Sequence, residues 1–324
     1  MNVLVTGGAG YIGSHVVRML LKKGHSVVVI DNLSRGHLES VPEGVEFEKV
    51  SLLDYEGLRS AISRHPADAV IHFAAFAYVG ESVEDPGLYY LNNVSGSVNL
   101  IRALNENNIK KVVFSSTCSL YGNPENVPIS EKESLKPINP YAKTKYFIEQ
   151  VLSDFDASFG MKYTALRYFN AAGADFDGLI GESHEPEPHL IPIVLQAALG
   201  KREKVMIFGD DYPTKDGTCI RDYIHVYDLA DAHIRALEYL NSGNVSTVIN
   251  LGTGTGYSVK EIIESARRVT GKEIKASVSQ RRAGDPAVLI ADNKKAREVL
   301  GWIPKYGLDD IIKSAWKWHQ EPKY

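Results

Sequence analysis

The first half of the chain alternates short apolar runs with longer amphipathic stretches. The runs have the length of buried strands, and the stretches between them carry the helical repeat. The apolar runs lie at residues 3–6, 26–30, 69–73, 111–115 and 164–168. This alternation predicts an α/β fold, a Rossmann-type doubly wound parallel sheet with helices on both faces. Because such sheets bind ligands at the carboxyl ends of their strands, the residues that follow each run are candidates for chemistry.

The pattern changes near residue 170. Stretches rich in glycine, proline and histidine follow at 181–188 and 209–218, and strand and helix patterns then resume at 221–239 and 248–251. We therefore expect a first domain of residues 1–169, to which the chain returns around 221–251. The second domain, residues 170–324, is expected to be a smaller, loop-rich α/β unit built around a second ligand site.

Composition narrows the class of protein. The 324 residues correspond to about two domains, and a net charge of -4 gives no general attraction for nucleic acid or anionic membrane. No run approaches the roughly 18 apolar residues of a spanning helix, and Met1 leads directly into a strand, so we expect a cytoplasmic protein. Cys118 and Cys219 have neither the number nor the spacing of a metal cluster, and no metal site is predicted.

A glycine-rich turn joins the first predicted strand to the first predicted helix, at residues 6–13. In this position backbone N–H groups and the helix dipole can hold a pyrophosphate. Gly7 permits the tight turn, Gly10 lets the phosphates approach, and Gly13 lets the helix pack on the sheet. The structural alternative is a glycine-rich turn without a ligand.

The second predicted strand ends in Asp31, 18 residues after Gly13. A carboxylate there accepts hydrogen bonds from both ribose hydroxyls and repels a 2′-phosphate, which favours NAD over NADP. Arg35 argues the other way, but we interpret it as a solvated loop arginine. The expected cofactor is therefore NAD.

A tyrosine and a lysine share one face of a predicted helix. Asn139 and Pro140 indicate the helix start, and Tyr141 and Lys145 follow four residues apart. The same face continues through the apolar residues Ile148, Leu152 and Phe155. A buried ammonium and a nicotinamide cation could together supply the roughly 4 kcal/mol that lowers a phenol pKa from about 10 to about 7. A core tyrosine with a snorkelling lysine is the alternative.

The strand at 111–115 runs into a hydroxyl-rich turn at 115–122. A hydroxyl at this strand end, such as that of Thr117, can share a hydrogen bond with a substrate alcohol and help to relay its proton. Ordinary capping of the turn by these serine and threonine side chains is the alternative.

Together these motifs resemble the extended short-chain dehydrogenase/reductase family, and within it the nucleotide-sugar epimerases. The motifs that carry the resemblance are the glycine turn, Asp31-Asn32-Leu33, His72-Phe73-Ala74-Ala75, Tyr89-Tyr90-Leu91-Asn92-Asn93, Tyr141 with Lys145, Arg167-Tyr168-Phe169-Asn170 and Arg221-Asp222-Tyr223-Ile224-His225-Val226. The resemblance runs from the first strand to the last helix. It implies NAD-dependent interconversion of UDP-glucose and UDP-galactose, through a 4-keto sugar reduced from its opposite face.

The resemblance also implies residue roles. Tyr141 is the base, Lys145 binds the nicotinamide ribose and lowers the Tyr141 pKa, and Thr117 completes the catalytic set. The implied cofactor contacts are Gly7, Gly10, Tyr11, Ile12, Gly13, Asp31, Asn32, Leu52, Phe73, Ala74, Ala75, Asn93, Ser115, Tyr141, Lys145 and Tyr168. The implied substrate contacts are Thr117, Asn170, His189, Leu190, Phe208, Arg221, Arg282, Asp285 and Leu289.

Three positions depart from the pattern of the family. Ser51 replaces an aspartate near the adenine, Ala77 replaces a lysine near the diphosphates, and Leu289 replaces a tyrosine that narrows the sugar pocket in some members. The last departure implies that N-acetylated UDP-hexoses fit as well.

Other functions stay open at this point. Dehydratases and decarboxylases of the same fold use acidic residues after the threonine, where this chain has Cys118 and Ser119. A regulator that binds NAD or a UDP-sugar without catalysis, or a scaffold, is a further alternative. The family also implies a homodimer through helices at 94–105 and 141–155, with Tyr146, Phe147 and Val151 facing outward.

Overall fold

The computed structural model describes residues 1–282 and 284–324. The strands are β1 Asn2–Thr6, β2 Ser26–Asp31, β3 Glu46–Lys49, β4 Ala69–His72, β5 Lys111–Ser115, β6 Lys162–Tyr168, β7 Asn170–Ala172, β8 Val205–Phe208, β9 Ile220–His225, β10 Thr247–Leu251, β11 Gly256–Ser258, β12 Ala276–Ser279 and β13 Val288–Leu289. The helices are α1 Tyr11–Lys22, α2 Tyr55–Arg64, α3 Val79–Glu84, α4 Pro86–Tyr89, α5 Gly96–Glu106, α6 Pro140–Phe159, α7 Leu190–Ala198, α8 Val226–Asn241, α9 Val259–Thr270, α10 Lys294–Leu300 and α11 Leu308–Gln320.

The large sheet confirms the Rossmann-type prediction. Within the described residues it has seven parallel strands in the order β10, β6, β5, β4, β1, β2, β3. The chain builds outward from β1 to β3, then resumes on the other side of β1 at β4. Ligands bind where the strand order reverses in this way, so the crevice between the ends of β1 and β4 is the expected site.

Both faces of the large sheet are buried, because successive side chains of a strand point to opposite faces. Val3 and Val5 of β1 pack in a core with α1 and α8. Leu4, between them, packs in a second core with α2, α5 and α6. Continuous apolar runs such as β1 are typical of a sheet that is covered on both sides.

The second part of the chain forms smaller sheets beside the first. Strand β9 pairs with β7, β11 and β13, and β8 pairs with β12. Helices α7, α9 and α11 pack around a separate apolar core. Residues 221–225, expected in the first domain, belong to β9 in this smaller sheet. The chain returns with α8, which packs on β5 and β6, with β10, which pairs with β6, and with α10, which packs on β10 and α8. The domain boundaries themselves stay a prediction.

Helix α6 starts where the sequence predicts. The Asn139 side chain accepts a hydrogen bond from the Ala142 N–H at 2.8 Å, and Pro140 occupies the first helical position. Gly160 ends the helix in the left-handed conformation. In the part of the chain that the structure describes, none of the helices is long and apolar enough to cross a membrane.

Candidate active site

A cavity of about 1090 Å³ lies at the carboxyl ends of the large sheet, with its other wall formed by the second part of the chain. Small-ligand pockets usually measure roughly 300–1000 Å³, so the cavity is large for a single small ligand. The predicted site residues in its wall are Gly7, Gly10, Tyr11, Ile12, Gly13, Asp31, Asn32, Leu52, Phe73, Ala74, Ala75, Ser115, Thr117, Tyr141, Lys145, Tyr168, Asn170, His189, Leu190, Arg221, Arg282, Asp285 and Leu289. The fold thus brings both predicted groups to one cavity.

Asn93 and Phe208 lie outside this wall. The Asn93 amide is buried, where it accepts from the Phe76 N–H at 2.8 Å and donates to the Phe76 carbonyl at 3.0 Å. The guanidinium carbon of Arg282 lies over the Phe208 ring, 4.1 Å from the ring centre. In this structure each contacts a residue that lines the cavity, and their direct contacts with ligands stay predictions.

The glycine turn has no room for larger residues. A Cβ at Gly13 would lie 2.2 Å from the Gly7 carbonyl oxygen, and Gly7 itself has φ +74° and touches the Ala74 backbone. Helix α1 has no acidic residue in its first turn, within the described segment Tyr11–Lys22. Its positive end is therefore open to an anion in the cavity, which fits the pyrophosphate of a dinucleotide.

Asp31 is fixed at the end of β2 and lines the same cavity. Its two oxygens accept hydrogen bonds from Ala9 N–H at 3.1 Å and Leu33 N–H at 2.8 Å. Burial raises the pKa of Asp31, and these backbone hydrogen bonds act in the opposite direction. The carboxylate is thereby oriented before any ligand binds, as a ribose acceptor has to be.

Arg35 is not the solvated loop arginine that the sequence suggests. It forms an ion pair with Glu81, and its guanidinium lies 5.3 Å from the Phe76 ring centre and 5.0 Å from that of Tyr78. The loop after β2 folds over the cavity rim, which brings the arginine onto these rings. Arg35 is thus held in the cavity wall by Glu81 and these two rings.

Tyr141, Lys145 and Thr117 all line the cavity. Tyr141 is 8% exposed and Lys145 3% exposed. The Lys145 ammonium donates to the Ser115 carbonyl at 2.7 Å, and the Ser115 hydroxyl bonds to the Tyr168 hydroxyl at 2.7 Å. The Thr117 hydroxyl accepts from the Ser119 N–H at 3.1 Å. Thr117 therefore caps its turn and lines the cavity at once.

Burial dominates the electrostatics of Tyr141 and Lys145 in the chain alone. Burial raises the pKa of Tyr141, and the Thr117 hydroxyl lowers it only in part. Burial also lowers the pKa of Lys145 to about 7, against the charge of Glu149. The sequence analysis expects Lys145 and a nicotinamide cation to lower the phenol pKa together, so this expectation stays a prediction.

A buried polar network supports this group, and the sequence analysis missed it. Glu149, one helical turn after Lys145, accepts two hydrogen bonds from Arg167 and one from the Ser116 hydroxyl at 2.6 Å. Arg167 also donates to the Tyr121 hydroxyl at 3.1 Å. The network anchors both α6 and the hydroxyl-rich turn that carries Thr117.

The cavity wall formed by the second part of the chain contains two arginines, Arg221 and Arg282. Arg221 pairs with Asp285, and it donates to the Ile220 carbonyl at 2.8 Å. Strand β13 pairs with β9 so that Leu289 lies beside Arg221. Asn170 donates its side-chain amide to the Asp222 carbonyl at 3.0 Å. Two arginines and an amide near one end of the cavity can hold a diphosphate.

The loop before α7 brings together residues that the sequence analysis missed. His189, predicted to contact substrate, directs its ring nitrogen at the carboxylates of Glu182 and Glu187. His184 lies against the same two carboxylates. The signal was present as alternating acidic and histidine residues within 182–189, but nothing in a loop sequence shows that they converge.

Comparison with known proteins agrees with this geometry. A profile of the NAD dependent epimerase/dehydratase family matches residues 3–252. The chain is 53% identical over 322 residues to the UDP-glucose 4-epimerase of Halalkalibacterium halodurans, covering 99% of this chain and 96% of that protein.

Two solved structures are similar over the same length. The UDP-glucose 4-epimerase from Brucella ovis in complex with NAD is 49% identical with a TM-score of 0.95, covering 97% of each chain. The UDP-Glc/GlcNAc 4-epimerase of Campylobacter jejuni is 44% identical with a TM-score of 0.88, covering 99% of each chain. The family description confirms NAD as the cofactor. Since the family profile spans both the glycine turn and the helix of Tyr141 and Lys145, the chain belongs to the NAD dependent epimerase/dehydratase family.

Proposed function

We propose that this chain interconverts UDP-glucose and UDP-galactose by NAD-dependent epimerisation at C4. The observation that carries the proposal is the shared cavity, whose wall contains the glycine turn and Asp31 as well as Arg221 and Arg282. Tyr141 and Thr117 lie in the same wall, where the sugar would meet the cofactor. The names of the relatives, which act on UDP-glucose, support the same reaction.

In this proposal the protein moves one proton and holds one diphosphate. Tyr141 takes the proton of the sugar 4-hydroxyl, with Thr117 sharing the hydrogen bond. NAD, when bound, supplies a positively charged nicotinamide and the reversible two-electron oxidation of C4. Arg221 and Arg282 keep the diphosphate anchored while the 4-keto sugar presents its other face. Tyr141 then returns the proton to the oxygen at C4, and the configuration is inverted.

The test is turnover of UDP-galactose by purified protein, with and without added NAD. We expect UDP-glucose to form, with no net accumulation of NADH because the cofactor ends each cycle oxidised. Protein with full NAD occupancy that makes no UDP-glucose, or that releases NADH in proportion to substrate consumed, would contradict the proposal.

The alternatives within the fold have less support. After Thr117 the chain has Cys118 and Ser119, and burial raises the pKa of the Cys118 thiol to about 12. Such a thiol is neither an acid nor a base near neutral pH, so elimination of water lacks its proton carriers. A regulator without catalysis has no use for a buried phenol and a buried ammonium in one wall.

Cofactor choice provides a prediction at Asp31. Asp31→Ser is expected to lower the preference for NAD over NADP by about 10–100-fold, because hydrogen bonds from ribose hydroxyls to a charged acceptor contribute roughly 1.5–3 kcal/mol. The measurement is the dissociation constant of each dinucleotide on cofactor-stripped protein. Asp68→Ser, an exposed carboxylate that also accepts a backbone N–H, is the control. An unchanged preference would remove Asp31 from the ribose site.

Acetylated sugars provide a second prediction. Leu289 lines the cavity, and the similar protein of Campylobacter jejuni is named for both UDP-Glc and UDP-GlcNAc. We expect the unaltered chain to turn over UDP-N-acetylglucosamine as well as UDP-glucose. Leu289→Tyr should lower kcat/KM for the acetylated sugar about tenfold or more, and that for UDP-glucose much less, because the larger ring fills the space of the acetyl group. No detectable turnover of the acetylated sugar by the unaltered chain would contradict this.

We further propose a homodimer formed by α5 and α6. Phe147 of α6 is 48% exposed and lies beside Tyr90, and Leu91 nearby is 55% exposed. Contiguous apolar side chains at a helix surface are typical of an interface.

Phe147→Glu is expected to convert the dimer to a monomer, because it introduces a charge into the apolar centre of the interface. Sedimentation velocity measures the change. Phe159→Glu, at the far end of α6 and 51% exposed, is the matched control and should leave the dimer intact. Equal sedimentation of all three proteins would contradict the interface.

A further inference from the structure

Four potential metal ligands converge in the loop before α7, although the sequence analysis predicts no metal site. The members of this 182–189 cluster are Glu182, His184, Glu187 and His189. One ligand atom from each lies within 4.8 Å of those from the other three. The two imidazoles and two carboxylates come from eight consecutive positions of one loop.

The distances within the cluster are close to those of a coordination shell. The His184 Nδ1 is 3.4 Å from Glu182 Oε1 and 3.5 Å from Glu187 Oε2. In a tetrahedral site with bonds of roughly 2.0–2.2 Å, neighbouring ligand atoms are about 3.3–3.6 Å apart. The His189 Nδ1 is closer, 2.8 Å from each carboxylate. These two contacts need to open by about 0.5 Å to admit an ion, which a side-chain rotation supplies.

Hydrogen bonding leaves the cluster incompletely satisfied. The His184 Nδ1 is buried and has no hydrogen-bond partner within the described residues. The His189 Nδ1 faces two carboxylate oxygens at equal distance, yet one ring nitrogen carries one proton at most. A cation at the centre would satisfy all four groups at once.

The burial of the two carboxylates is an electrostatic reason to expect a cation in the cluster. The side chains of Glu182 and Glu187 are only 6% and 5% exposed, so their two negative charges are held together away from water. One divalent cation with two neutral imidazoles cancels this charge. The His189 side chain is 44% exposed, which provides a path by which an ion can enter.

We propose that the 182–189 cluster binds one divalent transition-metal ion, with Zn²⁺ as the best match to its donors. Imidazole nitrogens with carboxylate oxygens in a four-ligand shell are the donors that Zn²⁺ takes in proteins. The ion fixes the loop that forms the cavity wall beside Tyr78 and Tyr11, whose rings pack on His184. Its role in this proposal is structural, and turnover does not depend on chemistry at the metal.

The rival explanation is a proton network in place of a metal. Burial lowers the pKa of His184, but the nearby carboxylates of Glu182 and Glu187 outweigh burial and raise that pKa to about 9. Two imidazolium ions would then balance the two carboxylates. The experiment has to distinguish bound metal from bound protons.

The test is metal content and position in the full-length protein, purified without a polyhistidine tag. After stripping with EDTA and dialysis against micromolar Zn²⁺, we expect roughly one Zn²⁺ per chain by mass spectrometry of the metal, and a melting temperature that rises with Zn²⁺. The double variant Glu182→Gln, Glu187→Gln should lose both properties. His65→Ala removes a surface histidine that contacts Glu48 at 2.8 Å, and it should lose neither.

Anomalous diffraction at the zinc edge supplies the readout that does not depend on any variant. The expected result is one peak within bonding distance of the four cluster atoms. A peak at Cys118, at Cys219 or at a surface histidine, or a Zn²⁺ content near zero, would overturn the proposal in favour of the proton network. None of these measurements requires turnover, so their outcome is independent of the proposed epimerisation.

Discussion

Tyr141→Phe is expected to lower kcat for UDP-galactose by about 10²–10⁴-fold while NAD stays bound, the usual contribution of a positioned acid–base group. The change removes one oxygen from a helix whose other buried residues are untouched. Tyr141 is the phenol in the cavity wall that lies beside Thr117 and on the helical face of Lys145. In the proposed mechanism this phenol is the group that accepts the proton of the sugar 4-hydroxyl.

The measurement pairs steady-state turnover with cofactor occupancy read from absorbance. Tyr146→Phe is the matched control, because it removes the same hydroxyl from the same helix at a position outside the cavity wall. The control should keep kcat within a factor of about two, since substitutions away from the reacting atoms change little. Comparable kcat in the Tyr141 and Tyr146 variants would show that the proton leaves by another route, and the proposed mechanism would fail.

Strands that are buried on both faces were predictable from the sequence, and edge strands were not. The apolar run at 26–30 corresponds to β2 Ser26–Asp31, and that at 69–73 to β4 Ala69–His72. Strand β3 Glu46–Lys49 is a half-buried edge strand. Three of its four residues are charged, so its sequence lacks the apolar run that indicates a strand. The strands β11 and β13 are two or three residues long, too short for any periodicity. Local pattern therefore identifies the centre of a sheet better than its margins.

In the candidate site, too, residues with a local sequence pattern were predictable and residues brought together only by the fold were not. Gly13, Asp31 and Lys145 were predictable because each follows a strand or shares a helix face with a neighbour in sequence. The pair of Glu149 and Arg167 joins a helix to the strand after it, and only the packing of α6 on the sheet brings the two together. The 182–189 cluster depends on how one loop folds back on itself. Contacts of this kind have no sequence period, so a single sequence does not reveal them.

The Glu149 network gives α6 a role beyond presenting Tyr141. Glu149 and Arg167 are each about 5% exposed, and Arg167 donates twice to the carboxylate. A buried pair of this kind adds little net stability compared with apolar residues, but the loss of one partner leaves the other charge uncompensated. Glu149 also lies one turn from Lys145 and acts against the loss of the Lys145 charge. We therefore infer that Glu149 is a positioning residue for the catalytic group.

Glu149→Gln is expected to lower the melting temperature by roughly 5–15 °C, because an unpaired buried charge costs about 3–5 kcal/mol. If Glu149 has only a structural role, a lower melting temperature is the only effect that we expect. If Glu149 also supports the charge of Lys145, its removal lowers the Lys145 pKa further below about 7, so less Lys145 is protonated at neutral pH. The resemblance to the family assigns protonated Lys145 to the catalytic set, so with that role the alkaline limb of the kcat profile should move to lower pH.

The measurement is a kcat profile against pH, taken well below the melting temperature of each variant. Glu149→Asp keeps the charge and should return the alkaline limb towards that of the unaltered chain, even if its shorter side chain restores stability only in part. Glu125→Gln makes the same change in the exposed pair with Lys136, and it should alter neither stability nor profile. A Glu149→Gln variant with a lowered melting temperature and an unmoved alkaline limb would reduce Glu149 to a structural partner of Arg167. The Lys145 ammonium would then depend on other groups, such as the Ser115 carbonyl that accepts its hydrogen bond at 2.7 Å.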